Sequence, residues 1–512
     1  MSIRIRVAVL AVTGLLVAGC TSPGAATDTP RTTPSADGAT SPDSSSALPA
    51  ALTSQRPDWK TCAAPEGGEK PGADWRCATV KVPLDHEKPS GETIPIALIR
   101  KEARSKADRI GSLLFNFGGP GASGVDILPR AAAEYGGLNR RYDLVGFDPR
   151  GVGGSAAVVC QDDEEIAEAE ARWDPSPDTV AEEAAYMQDG TAFGAGCARR
   201  SGKVIAHTTT SNTARDLDLI RHVLGDAKLH YFGISYGTQL GGTYAHLFPK
   251  NVGRTVLDAV VDPTADAEGQ ARNQALGFQR ALDNYLKSRG EDPKAGTERI
   301  AHLLERLDSR PLPVGERYLT EGLAVTGIVV TLYSKASWPM LTSALQQAEK
   351  GSGAELLQLA DYYNDRDESG HYSTQSHSQR AISCADSSER GTVERALALL
   401  PEFRKLSPVF GPLLAWDTAG WCANWPVKGE VADMDVSAPG AGPILVVGTT
   451  GDPATPYEGA ERMAKELGKG VGVLVTNKGE GHGAYGTASC VTKTIDAYLL
   501  DGKVPAYGKT CS

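Results

Sequence analysis

Tyr231-Phe232-Gly233-Ile234-Ser235-Tyr236-Gly237-Thr238-Gln239 decides how the rest of the chain is read. Leu229, Tyr231 and Phe232 favour a strand, Gly233 and Gly237 flank Ser235 in the pattern Gly-x-Ser-x-Gly, and a helix is expected to follow. Missing Cβ atoms at the two glycines let strand and helix approach closely on either side of a sharp turn. A serine lifted on such a turn meets both a substrate carbonyl and a base, and the next backbone N–H is aimed at the oxyanion that develops. A glycine-rich turn with a solvated serine has the same five residues, so the reading depends on the rest of the machinery.

Upstream, residues 76–82 and 93–100 alternate apolar and polar side chains across a Pro, Asp and Gly break, the pattern of an antiparallel pair at a sheet edge. Residues 112–117 are a continuous apolar run suited to a buried strand and end in Gly118-Gly119-Pro120-Gly121-Ala122-Ser123-Gly124. A phosphate cradle would need a Lys-Ser/Thr pair or Gly-x-Gly-x-x-Gly spacing, which this loop lacks. It reads better as an oxyanion loop, with the N–H of Gly119 as a second donor beside that of Tyr236. Residues 143–147 form the next buried strand, followed by Asp148-Pro149-Arg150-Gly151, where Asp148 and Arg150 are expected to pair and brace the loop. Residues 160–197 look like an acidic helical excursion. Thr213 and Asp216 have capping-box spacing, with Leu217, Ile220 and Leu224 on one face and Gly225 as a stop.

A serine needs a base, and the base needs an orienting acid. Strand-like residues 443–447 lead into Asp452, in Gly451-Asp452-Pro453-Ala454-Thr455-Pro456, and residues 471–475 lead into His482, in Gly479-Glu480-Gly481-His482-Gly483. Of nine histidines, His222, His230, His246 and His302 fall within expected helices or strands, whereas His482 sits among glycines after the final strand. Glu480 is the alternative acid, but two residues from His482 its geometry is poor. The order Ser, Asp, His, each at the C-terminal edge of a strand, is that of an α/β-hydrolase. The expected fold is therefore α/β, a mostly parallel central sheet with helices on both faces. Residues 52–262 and 443–512 would form the core, and the mostly helical residues 263–442 a large lid.

The 512 residues carry a net charge of −11 and no basic run, which argues against nucleic-acid binding. Arg4 and Arg6, a short apolar run and Val17-Ala18-Gly19-Cys20 resemble a lipoprotein signal, residues 1–20, in which Cys20 becomes the lipidated first residue; an ordinary secretory signal is the alternative. Residues 21–51, rich in Ser, Thr, Pro, Ala and Gly, bury too little apolar surface to fold and read as a disordered tether. Nine cysteines less Cys20 leave eight, and their spacing makes Cys62–Cys77, Cys160–Cys197, Cys384–Cys422 and Cys490–Cys511 the simplest of many pairings. None has zinc-ligand spacing, and neither metal nor cofactor is expected.

Phe117-Gly-Gly-Pro-Gly121, Asp148-Pro-Arg-Gly151, Gly233-Ile-Ser-Tyr-Gly237, Asp452-Pro-Ala-Thr-Pro456 and Gly481-His-Gly483 together resemble the secreted tripeptidyl aminopeptidase branch of the prolyl-aminopeptidase-like serine peptidases, an actinobacterial group that includes carboxylesterase-like enzymes. Val82-Pro-Leu-Asp85, Ala97-Leu-Ile-Arg100 and Ile382-Ser-Cys384-Ala-Asp386 also resemble that group, and the likeness spans about residues 59–511. It departs at Phe117, where the smaller prolyl aminopeptidases have histidine. The resemblance implies an exopeptidase that cleaves short peptides, tripeptides first, from free N-termini, with Ser235 as nucleophile, His482 as base and Asp452 as acid; a monomer is expected. Such an enzyme needs a carboxylate for the substrate ammonium; Asp386 and Glu389 are candidates, as much as solvated or capping residues. Thr455 is expected either to line the pocket or to be a plain turn residue. An esterase on the same residues, or a non-catalytic surface lipoprotein, are the competing readings.

Overall fold

The computed structural model describes residues 48–64, 70–430 and 435–512. The lipoprotein signal, Cys20 and nearly all of the tether lie outside them. Residues 50 and 51, expected in the tether, already belong to the short helix Ala50–Thr53, whose Leu52 is buried against the core.

The strands in chain order are β1 (Lys60–Thr61), β2 (Trp75–Pro83), β3 (Thr93–Lys101), β4 (Gly111–Asn116), β5 (Tyr142–Phe147), β6 (Leu229–Ile234), β7 (Val252–Asp258), a separate hairpin of β8 (Leu312–Val314) and β9 (Arg317–Leu319), then β10 (Ile444–Gly451), β11 (Gly472–Glu480) and β12 (Lys509–Cys511). All but the hairpin form one ten-stranded sheet in the order β1-β2-β3-β5-β4-β6-β7-β10-β11-β12. Pairing is antiparallel from β1 to β5, as the alternating edge pattern required, and parallel from there onward. Because side chains alternate across a strand, Leu113, Phe115, Phe232, Val256 and Leu445 pack into one layer while Leu114, Tyr231, Leu257 and Val446 pack into the other. β4 and β5 are buried at every position, the signature of strands covered on both faces.

This order places β4 between β5 and β6, so the chain crosses to opposite sides after β4. The loops leaving β4 and β6 emerge side by side at the carboxyl ends of two paired strands, where open α/β sheets bind ligands.

Between β7 and β10 the chain builds a helical cap with its own apolar core, in which Phe278, Leu303, Ile328, Leu341, Phe403 and Trp416 are buried. Helix Val180–Ile205, expected with the main core, packs instead against this cap. Tyr186 and Met187 lie on its core, and Gly190 sits so close that an added Cβ would stand 2.6 Å from the Gly420 carbonyl oxygen. Disulfides Cys160–Cys197 and Cys384–Cys422 fall in one buried cluster that joins this excursion to the cap. Cys62–Cys77 and Cys490–Cys511 pair as the spacing suggested, the last fastening β12, a strand that the sequence did not announce. Four disulfides fit an oxidising compartment. No helix of the described residues is long and apolar enough to cross a membrane.

The expected capping box at Thr213 and Asp216 is corrected. The helix starts one turn earlier, at Thr210, capped by the Thr209 side chain. Asp216 lies inside it and holds a buried guanidinium.

Candidate active site

Ser235 ends β6 and stands before helix Tyr236–Leu247 with φ 57 and ψ −126, a conformation rare for a residue with a side chain. The turn is over-determined. The Ser235 N–H donates to the Asp258 carbonyl at 3.0 Å, and its own carbonyl accepts from Thr238 N at 2.7 Å. An added Cβ on Gly233 would meet the Gly237 carbonyl at 2.3 Å, and one on Gly237 the Asn116 carbonyl at 2.7 Å, so the pattern read from the sequence is a requirement of close approach.

The loop after β4 lies directly on this turn. Gly118, Gly119 and Gly121 all have positive φ, and an added Cβ on Gly118 would stand 2.8 Å from Ser235 Cβ. The backbone N–H groups of Gly119 and Tyr236 donate no hydrogen bond among the described residues. Asp148 braces this loop, but not through Arg150 as expected. Its carboxylate accepts from Ser123 Oγ at 2.6 Å, Val125 N at 3.1 Å and Gly154 N at 2.9 Å, and burial pushes its carboxyl up to about 6. Arg150 instead forms a buried bidentate pair with Asp216, both contacts 2.7 Å, which Asp216 shares with His86. Guanidinium and carboxylate match as two forks.

His482 follows β11, and its Nδ1 donates to Asp452 Oδ1 at 2.9 Å and Oδ2 at 3.0 Å. Both side chains are wholly buried. Asp452 is fixed by N–H bonds from Ala454 at 3.0 Å and Thr455 at 2.9 Å and by the Thr455 hydroxyl at 3.1 Å. Thr455, expected to line a pocket or simply turn the chain, is thus a support of the carboxylate. Two further supports went unread in the sequence. The backbone carbonyl of Tyr333, at the end of a cap helix, accepts the backbone N–H of His482 at 2.8 Å, and the Tyr333 ring stands edge-on to the imidazole at 5.3 Å. Asp258, at the end of β7, takes the N–H groups of Ala484 and Tyr485 at 2.9–3.0 Å. A carboxylate inside the apolar run Val256-Leu257-Asp258-Ala259-Val260 was its signal. Glu480 faces Asn284 instead, at 3.1 and 3.3 Å.

Two polar atoms are left over. Ser235 Oγ and His482 Nε2 are buried and hydrogen-bond to nothing among the described residues. With Nδ1 committed as donor, Nε2 carries the lone pair, so the imidazole is in the tautomer that takes a proton.

Neither candidate for a substrate ammonium hydrogen-bonds to Ser235, Asp452 or His482. Asp386 accepts from Thr210 N at 2.7 Å and Thr210 Oγ1 at 2.6 Å, and Thr210 Oγ1 lies 2.6 Å from the Tyr236 hydroxyl, a chain from the cap to the serine turn. Glu389 has Asp266 and Glu268 as its charged neighbours. Burial pushes the Asp386 carboxyl up to about 7, with Glu430 adding to the rise. Its value is above the roughly 3.9 of an unfolded aspartate, so the folded state holds the proton more tightly. The stabilisation is complete below the unfolded value and lost as pH rises through about 7. Asp386→Asn, neutral throughout, is expected to gain in melting temperature over the native protein between pH 5 and pH 8. A difference that does not change with pH would count against this assignment.

The sheet order, the serine turn and the histidine loop define an α/β-hydrolase with a helical cap. A family model described as TAP-like protein matches residues 407–511, the stretch that contains Asp452 and His482. The chain is 36% identical over 483 residues to serine protease Hip1 of Mycobacterium tuberculosis, covering 89% of this chain and 90% of that protein. It is 33% identical over 496 residues to tripeptidyl aminopeptidase of Streptomyces lividans, covering 89% and 86%. Carboxylesterase B of Mycobacterium tuberculosis is 34% identical over 458 residues, covering 85% and 86%. The chain belongs to the TAP-like family of α/β-hydrolases.

Proposed function

We propose that this protein is an exported serine exopeptidase that removes short peptides, tripeptides first, from free N-termini. The observation that carries the reading is the pair of buried, unpartnered atoms, Ser235 Oγ and His482 Nε2, beside an imidazole Nδ1 and an Asp452 carboxylate that are already paired. Ser235 Oγ attacks the peptide carbonyl as His482 Nε2 takes its proton, and Asp452 holds the imidazolium. The Gly119 and Tyr236 N–H groups stabilise the oxyanion, each donor supplying about 2.7–4 kcal/mol of barrier lowering in such sites. The tetrahedral intermediate collapses to an acyl-enzyme as His482 gives the proton to the leaving amine. Water, deprotonated by the same nitrogen, releases the acyl peptide and restores Ser235. Acyl transfer by this route uses no cofactor. We also propose that Cys20 carries a lipid anchor and that residues 21–51 tether a monomeric enzyme to the outer side of the cell membrane.

Hydrolysis of Ala-Ala-Pro-p-nitroanilide by protein lacking residues 1–47, beside its N-acetylated form, tests the reading. Cleavage of the free-amine substrate with the acetylated one spared is the expected result. The existence of a related carboxylesterase B favours one alternative. If neither anilide is cleaved and a short p-nitrophenyl ester is, the site is that of an esterase.

A further inference from the structure

A cavity of about 290 Å³ lies where helix Asp163–Arg172, helix Val180–Ile205 and the cap helices converge. It adjoins the site at two places. Gln375 and Gln379 on its wall lie against the loop after β4, where an added Cβ on Gly121 would stand 2.7 Å from the Gln375 carbonyl and 2.9 Å from Gln379 N. Tyr363, also on its wall, lies tilted against Tyr333, ring centres 6.3 Å apart, and Tyr333 is the ring that meets His482.

Its lining is aromatic and short of positive charge. Trp173, Tyr186, Phe193, Tyr372 and Trp421 supply ring surface, and four carboxylates, Glu170, Asp189, Asp365 and Asp417, face one cation, Arg380. That cation is already engaged. Its guanidinium donates to the Gly420 and Trp421 carbonyls and lies 4.5 Å from the centre of the Phe193 ring. Glu170 accepts from Asn364 Nδ2 at 2.6 Å and the Tyr372 hydroxyl at 2.7 Å, both neutral donors. The closest guanidinium, Arg317 at 3.8 Å, forms a bidentate pair with Asp361 at 2.7 and 2.8 Å. Asp417 takes the Tyr186 hydroxyl at 2.8 Å. Burial raises both carboxyls, Asp417 to about 6. The donors that hydrogen-bond each carboxylate are neutral, and the nearest guanidiniums, Arg317 for Glu170 and Arg380 for Asp417, offset only part of the cost of burial. Each also keeps acceptor capacity, since an ionised carboxylate offers about four lone-pair sites.

We propose that this cavity is a substrate subsite that takes a cationic nitrogen of the peptide segment acylating Ser235, with Glu170 and Asp417 as its acceptors and the aromatic walls as its cation–π surface. The proposal rests on the peptidase reading for which molecule enters. An α-ammonium satisfies the chemistry, and so does a lysine side chain. Either gains charge-assisted hydrogen bonds in a place that water has partly left. An acetylated terminus leaves both carboxylates as they are.

Calorimetric titration of the Ser235→Ala protein needs no turnover and so tests the cavity apart from the activity. The ligands are Ala-Ala-Pro-p-nitroanilide, its N-acetyl form, and N-acetyl-Lys-Ala-Pro-p-nitroanilide. At least about tenfold tighter binding of the free-amine peptide than of its acetyl form is expected, the range of one charge-assisted bond. That preference should vanish with Glu170→Gln and Asp417→Asn combined, and the single changes show which carboxylate dominates and stand in should the pair not fold. If only the lysine peptide gains, and loses its gain in the same variants, the cavity stands, its cation is a side chain, and the exopeptidase reading falls. Equal affinity for all three ligands, or a preference that survives the substitutions, overturns the proposal.

Discussion

Ser235→Ala is expected to lower kcat by about 10⁵ to 10⁶-fold while leaving the melting temperature within a degree or two of the native value. The two halves of that expectation come from one fact. Ser235 Oγ is buried and makes no hydrogen bond among the described residues, so removing it orphans no partner. The positive φ remains, but alanine tolerates it no worse than serine does, since the clash belongs to the Cβ that both share. What is lost is the nucleophile. Residual hydrolysis by water, helped by the two N–H donors and by substrate binding, accounts for the activity that stays. Steady-state assays on the free-amine anilide, paired with calorimetric melting, check both halves. A variant within tenfold of native activity would mean that another residue attacks the carbonyl.

What was legible in the sequence is what short-range chemistry dictates. The glycines around Ser235 follow from backbone contacts of 2.3 and 2.7 Å, and such contacts select glycine whatever the rest of the fold does. Ser235, Asp452 and His482 each follow an apolar run, and an apolar run is a local feature. The disulfide couples were legible because their partners are near in sequence, separated by 15 to 38 residues. The missed features depend on distance along the chain. Arg150 pairs as a fork with Asp216, 66 residues away, while the Asp148 carboxylate is taken up by Ser123, Val125 and Gly154. Helix Val180–Ile205 joins the cap because Gly190 and Tyr186 fit residues beyond position 410, a complementarity no periodicity reveals. Three residues suffice for β12 because Cys511 is anchored to Cys490, so its pairing does not rest on length or composition. The supports of His482 come from β7 and from a cap helix, elements apart from it in sequence, and their side chains serve other packing as well.

Asp452→Asn is expected to cost about 10⁴-fold in kcat, with the fold retained. The direction follows from where the hydrogens must go. Oδ1 accepts N–H bonds from Ala454 and Thr455, so the asparagine carbonyl oxygen is held at that position. The amide nitrogen then occupies the place of Oδ2, beside the Thr455 hydroxyl and His482 Nδ1, and presents hydrogens to both. An amide N–H pairs with a lone pair on Nδ1, which moves the imidazole proton to Nε2 and leaves no base facing the serine. All local hydrogen bonds are kept in count, so stability changes little while proton transfer fails. Reaction of Ser235 with a fluorophosphonate should slow in parallel with peptide hydrolysis, because both need the proton removed. Asp258→Asn is the informative partner. Its carboxyl, pushed by burial up to about 6, serves the Ala484 and Tyr485 N–H groups, which an asparagine carbonyl oxygen continues to accept. A loss of about tenfold or less is expected there. Should the two variants exchange ranks, the acid that orients His482 is the one at the end of β7, and the assignment of Asp452 is wrong.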